Sequence, residues 1–190
     1  MTQFNSLVNS HEGQSCFIYG LGPTANQLPP DSNNIIIGVN NFESLYGTIP
    51  NYLVVIDSYK RFEPNRARAI ENTNATTVFT QFEEELFPFK TANRCLINLD
   101  NRRGDHKLST KKLDISYSSP YVALQIAYHL GFHNITLCGV DISLTGSHHL
   151  CTRYHKMKQH FDEMKTLMID KRPWLQIKSL SNPGGVLKDF

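Results

Sequence analysis

The feature that most narrows what this chain can fold into is a set of short apolar runs that do not alternate. Segments 16–20 (CFIYG), 34–39 (NIIIGV), 52–56 (YLVVI) and 135–138 (ITLC) are apolar at nearly every position, and 76–80, 94–99 and 175–179 are weaker versions of the pattern. A strand wetted on one face alternates, whereas a strand covered by helices on both faces does not. Such runs, separated by longer stretches, predict an α/β fold. The expected form is a Rossmann-like three-layer arrangement with a mainly parallel sheet and helices on both faces.

Two helices are legible. Segment 119–130 (SPYVALQIAYHL) offers Ser119 as N-cap, Pro120 at the first helical position and Gly131 just past the end. Its apolar residues surround it almost completely, so it is expected to be deeply buried. Segment 152–169 sets Tyr154, Met157, Phe161, Met164 and Met168 on one stripe at steps of three and four.

A length of 190 residues with 40% hydrophobic and 19% charged content suits one folded domain, 1–190, and excludes a disordered chain or a coiled coil. Lys+Arg 19 against Asp+Glu 17 leaves +2, which argues against a partner of duplex nucleic acid. No run approaches the length of about 18 apolar residues needed for a membrane span. The four cysteines form no C-x-x-C pair, and Cys16, Cys95 and Cys138 sit in strand-like runs as small hydrophobes, so a reducing, cytoplasmic setting is expected. The stretch 100–114, with Arg102, Arg103, Lys107, Lys111 and Lys112, reads as a basic excursion. It is either an exposed loop or a lid over an anionic ligand. With 11 Phe and 8 Tyr, a homo-oligomer that buries some of them is compatible with the composition.

The sharpest local motif is Gly20-Leu21-Gly22-Pro23-Thr24-Ala25, directly after the first run. Two glycines permit a tight turn and close approach to a phosphate, and a following helix would present free N–H groups. Pro23 removes one donor, and Asn40 and Asn41 stand where an NAD site would want a carboxylate. The turn is thus either a nucleotide or phosphate cradle or a plain connection. There is no P-loop and no G-x-S-x-G elbow. In an open parallel sheet the ligand lies outside the carboxyl ends of the strands. Gly20 to Thr24, Asn40, Asp57 and Asp141 form that rim; Asp57 and Asp141 either face ligand or cap helices.

His148, His149, Cys151, His155 and His160 crowd one stretch, without the carboxylate of an H-E-x-x-H motif. No metal is expected. The histidines either decorate a helix surface or give one imidazole, from His148, His149 or His155, to proton transfer or phosphate contact.

In their order, GLGPTANQL, IIIGVNNF, YLVVID and SSPYVALQIAYHLGFHNITLCGVDIS resemble a Rossmann-like group with a G-x-G-P-[ST] turn. It includes sialyltransferases of glycosyltransferase family 42, motility-accessory-factor glycosyltransferases and MptE-like 6-hydroxymethylpterin diphosphokinases. The sialyltransferase likeness implies a CMP-sugar held by Gly20, Gly22, Pro23, Thr24 and Asn40, with Ser118 and Ser119 before the buried helix and His155 as base; His149 is the second candidate for that role on its residue type alone. This chain has Leu21 and Asp57 where that family has Asn, and Ser143 and His149 near its two tyrosines. The expected activity is a nucleotide-dependent transfer from a nucleotide-sugar to a small-molecule or glycan acceptor. The alternatives are an MptE-like diphosphokinase, with Asp57 and Asp141 on Mg and ATP as co-substrate, and a non-catalytic nucleotide-binding or sensor module.

Overall fold

The computed structural model describes residues 2–81, 89, 93–100, 107–116, 118–141 and 148–180, except the side chains of Thr2 and of 148–154. The strands are β1 (Thr2–Gln3), β2 (Ser15–Tyr19), β3 (Ile35–Val39), β4 (Tyr52–Val55), β5 (Thr77–Thr80), β6 (Asn93–Leu96), β7 (Leu99–Asp100), β8 (Leu113–Asp114), β9 (Asn134–Cys138) and β10 (Gln176–Leu180). The helices are α1 (Phe42–Tyr46), α2 (Pro64–Glu71), α3 (Ser119–Leu130) and α4 (His148–Lys171).

Eight strands make one sheet in the order β1-β6-β5-β4-β3-β2-β9-β10, and every neighbouring pair is parallel. The absence of alternation in the sequence has its cause here. Cys16, Ile18, Ile37, Val39, Val54, Ile135 and Leu137 point to the layer of α3 and α4. Tyr19, Ile36, Leu53, Val55 and Cys138, from the same strands, point to the layer of α1 and α2. Both faces are dry, and each aliphatic side chain so buried contributes about 1.5–3 kcal/mol. Helix α3 lies across β2, β3 and β4, with every residue from Tyr121 to Leu130 buried.

Several boundaries differ from expectation. The run 94–99 is two strands, because β6 ends at Leu96 and Leu99–Asp100 pairs instead with Leu113–Asp114. Those two short strands bracket the basic excursion, whose residues 101–106, with Arg102 and Arg103, lie outside the described residues. Lys112 reaches Asp100 at 3.4 Å. Helices α1 and α2 escape a periodicity reading because they are five and eight residues long. The element after the glycine turn is only a 3-10 turn, Pro23–Gln27, stopped by Leu28-Pro29-Pro30. The N-cap of α3 is Ser118 rather than Ser119: the Ser118 hydroxyl accepts from the Tyr121 N–H at 3.3 Å.

Candidate functional site

The chain winds outward from β2 through β3, β4 and β5 to β6, and α3 then returns it to β9 on the other side of β2. That reversal sets a crevice at the carboxyl ends of β2 and β9, where ligands bind in sheets of this kind. Gly20 to Thr24 and Gly139 to Asp141 are its two lips, with Asn40 and Asp57 next along the edge from β3 and β4.

The lips are laced together. Gly20 donates its N–H to the Cys138 carbonyl and Gly22 to the Gly139 carbonyl, each at 2.8 Å. Asp141 crosses over to Thr24, accepting the backbone N–H at 2.7 Å on one carboxylate oxygen and the hydroxyl at 2.5 Å on the other. The Ala25 N–H turns back to the Gly22 carbonyl at 3.1 Å. A Cβ at Gly22 would stand 2.5 Å from the Asp141 carboxylate and 2.8 Å from the Gly139 carbonyl oxygen. The glycines therefore serve the approach of two loops to each other. Tyr46 stands beside the turn; burial raises its phenol pKa, and the Asp141 charge adds to the effect.

Asn40 closes β3 in the left-handed region, φ 51°, which Asn tolerates better than most residues. Its N–H bonds to the Val54 carbonyl at 3.1 Å, while its side-chain Oδ1 is buried with no hydrogen-bond partner. The neighbouring Asn41 is satisfied, accepting from Arg66 Nε at 2.7 Å. Asp57 pairs with Arg61 at 3.2 Å one helical step on, in a mostly exposed contact worth little to stability.

Helix α4 runs back from β9 to β10. Met157, Phe161, Met164 and Met168 carry its packed face into the core shared with α3. His155 is exposed, about 160° around the helix from Met157 and the buried stripe of Met164 and Met168. The backbone of His149 lies in α4; its side chain is outside the described residues. Of the two histidines of this stretch with described side chains, the one turned inward is His160, whose Nδ1 shares a 2.5 Å hydrogen bond with the Ser116 hydroxyl. Around it Asp114 accepts the Ser116 N–H at 3.3 Å, and Gln125 grips the Asp114 backbone at both N–H and carbonyl, 2.9 and 2.7 Å. This network fixes the segment that leads into Ser118 and Ser119.

No family model and no curated protein sequence matches the chain. Solved structures do. A Maf glycosyltransferase from Magnetospirillum magneticum superposes with a TM-score of 0.60 at 14% identity over 94% of this chain. This chain spans only 35% of that protein's length. The sialyltransferase CstII from Campylobacter jejuni, solved with cytidine-5'-monophosphate, gives 0.56 at 12% identity over 94% of this chain and 84% of its own. An alpha-2,3-sialyltransferase from the same organism gives 0.54 at 15% identity over 95% and 80%. The chain has a glycosyltransferase-like fold.

On this glycosyltransferase-like fold the sequence-derived rim residues fall into two groups. Gly20, Gly22, Pro23, Thr24 and Asp141 converge at the crevice and Asn40 stands beside it, whereas Asp57 turns to Arg61 and His155 to solvent. Sequence reasoning missed Asp114, Ser116 and Gln125. The one signal for them was a glutamine inside an otherwise apolar helix, a residue that is buried only when its amide is satisfied.

Proposed function

We propose that this chain is a nucleotide-dependent transferase, a glycosyltransferase-like enzyme that takes a nucleotide-activated sugar of the CMP-sugar type. The observation that carries the reading is Asn40: a buried, unpartnered amide oxygen at the carboxyl end of β3, next to the switch point of the sheet. Such an acceptor costs about 1–3 kcal/mol unless a ligand supplies an N–H or O–H. A nucleoside carries both. CstII has been solved with cytidine-5'-monophosphate and with CMP-3FNeuAc, which supports cytidine as the first base to try.

In this reading Gly20, Gly22, Pro23 and Thr24 floor the nucleotide site, Asp57 borders it, and Ser118 and Ser119 meet the donor from the start of α3. His155, or His149, takes the proton from an acceptor hydroxyl as that oxygen attacks the anomeric carbon and the nucleoside monophosphate leaves. The acceptor is a small molecule or a glycan. Thermal unfolding with CMP, CDP, UDP, ADP and ATP, each with and without magnesium, tests it, together with CMP release from a CMP-sugar. A metal-independent rise of a few degrees with CMP, accompanied by turnover, is expected. A rise only with ATP and magnesium would replace the transferase by a diphosphokinase, and a CMP rise without turnover by a binding module.

A further inference from the structure

The glycine turn resembles a phosphate cradle in sequence, but four of its five backbone N–H donors are already engaged, Leu21 being the exception. The N–H groups of Gly20, Gly22, Thr24 and Ala25 all bond within the protein, and Pro23 has none. The position that an anion would take in front of Thr24 is held by the Asp141 carboxylate, at 2.7 and 2.5 Å. A phosphate there would lose those donors and face a fixed like charge. The following element is a five-residue 3-10 turn, too short to supply a helix dipole.

What this edge offers instead is acceptors. Asp141 keeps lone pairs beyond the two that Thr24 uses, since each carboxylate oxygen can accept twice. Asn40 Oδ1, two strand spacings or about 10 Å along the edge, is buried and without a partner. The geometry points to a turn that seats the neutral, donor-bearing part of a nucleoside, its sugar hydroxyls or base amine, between Asp141 and Asn40, and that keeps the phosphate out. Asp141 is then the specificity-determining residue of the crevice. This inference rests on the nucleotide reading above.

Amide spectra of the full wild-type chain, titrated with cytidine, CMP and inorganic phosphate and paired with calorimetry, test it without any substitution. Cytidine and CMP are expected to shift the Gly20, Gly22 and Thr24 amides alike, and inorganic phosphate to leave them unmoved. Asp141→Asn is expected to weaken cytidine and CMP by the same factor, about tenfold or more. Turn amides that answer CMP or phosphate but not cytidine would overturn the inference. So would an Asp141→Asn variant that binds CMP more tightly with cytidine unchanged, or calorimetric CMP binding with the turn amides silent. In each of those cases the nucleotide reading stands. Absence of binding by cytidine and CMP alike overturns that reading, and the inference with it.

Discussion

Ser116 and His160, 44 residues apart in the chain, meet at 2.5 Å in a buried hydrogen bond that ties the middle of α4 to the segment before α3. Because both are buried, water does not readily replace the bond when one partner is removed. His160→Ala is expected to cost about 2–4 kcal/mol, combining a lost hydrogen bond with a cavity, and Ser116→Ala about 1 kcal/mol. The pair should not be additive: a double-mutant cycle in urea should return a coupling of about 1 kcal/mol or more. Strict additivity would mean that the bond contributes nothing to stability.

His129 makes a pH prediction. It is buried, its Nε2 has no hydrogen-bond partner, and burial together with the Arg172 guanidinium pushes its pKa down to about 4. The unfolded chain takes up this proton near pH 6.5 and the folded chain only near 4. Stability from His129 is therefore complete above about pH 6.5 and falls as the pH drops toward 4, by up to about 3 kcal/mol. Urea midpoints measured from pH 7.5 to 4.5 should show His129→Phe losing less stability on acidification than the parent. Parallel curves would remove His129 as the cause.

Thiol reactivity follows from burial. Cys16, Cys95 and Cys138 are all buried and free, and desolvation raises each thiol, Cys95 and Cys138 to about 11. At pH 8 a thiol with that pKa is thiolate about one time in a thousand. A maleimide pulse on the native chain, mapped by mass spectrometry, should leave these three unmodified until denaturant is added. Rapid native labelling at Cys138 would show that the layer beneath the crevice opens readily.

The glycines should rank by what a methyl would strike. At Gly20 an added Cβ overlaps the Gly139 carbonyl oxygen, a backbone atom that cannot step aside. At Gly13, with φ +80°, it meets nothing within 4 Å, so only the strain of the left-handed backbone is felt. Gly13→Ala should cost about 1–2 kcal/mol, whereas Gly20→Ala should cost several or fail to fold. Gly22→Ala belongs with Gly20, although its first obstacle is the Asp141 side chain, at 2.5 Å. Comparable stability for Gly20→Ala and Gly13→Ala, read from thermal unfolding, would contradict the laced crevice.

Much of the fold was legible because burial on both faces leaves a local trace. Ile35 to Val39 are apolar at every position because α3 lies on one side and α1 and α2 on the other, and the eye needs only five residues to see it. Helix α3 was legible for the same reason and for its Pro120 and Gly131. Helices α1 and α2 were not, because one or two turns are too few to show a period of 3.6. At the rim, the residue types were legible but not their partners: Asp141 engages Thr24 at a separation of 117 residues.

The sequence alone thus determined the layers, the parallel sheet and the strand ends on which a site would form, since each depends on patterns within a few residues. Tertiary structure alone decided that Asp141 closes the glycine turn and that Asn40 keeps a buried oxygen unpaired. It also decided that His160 rather than His155 faces inward. Those outcomes depend on which strand lies beside β2 and which face of α4 packs on the sheet, and long-range neighbours of that kind are fixed by packing, not by local pattern.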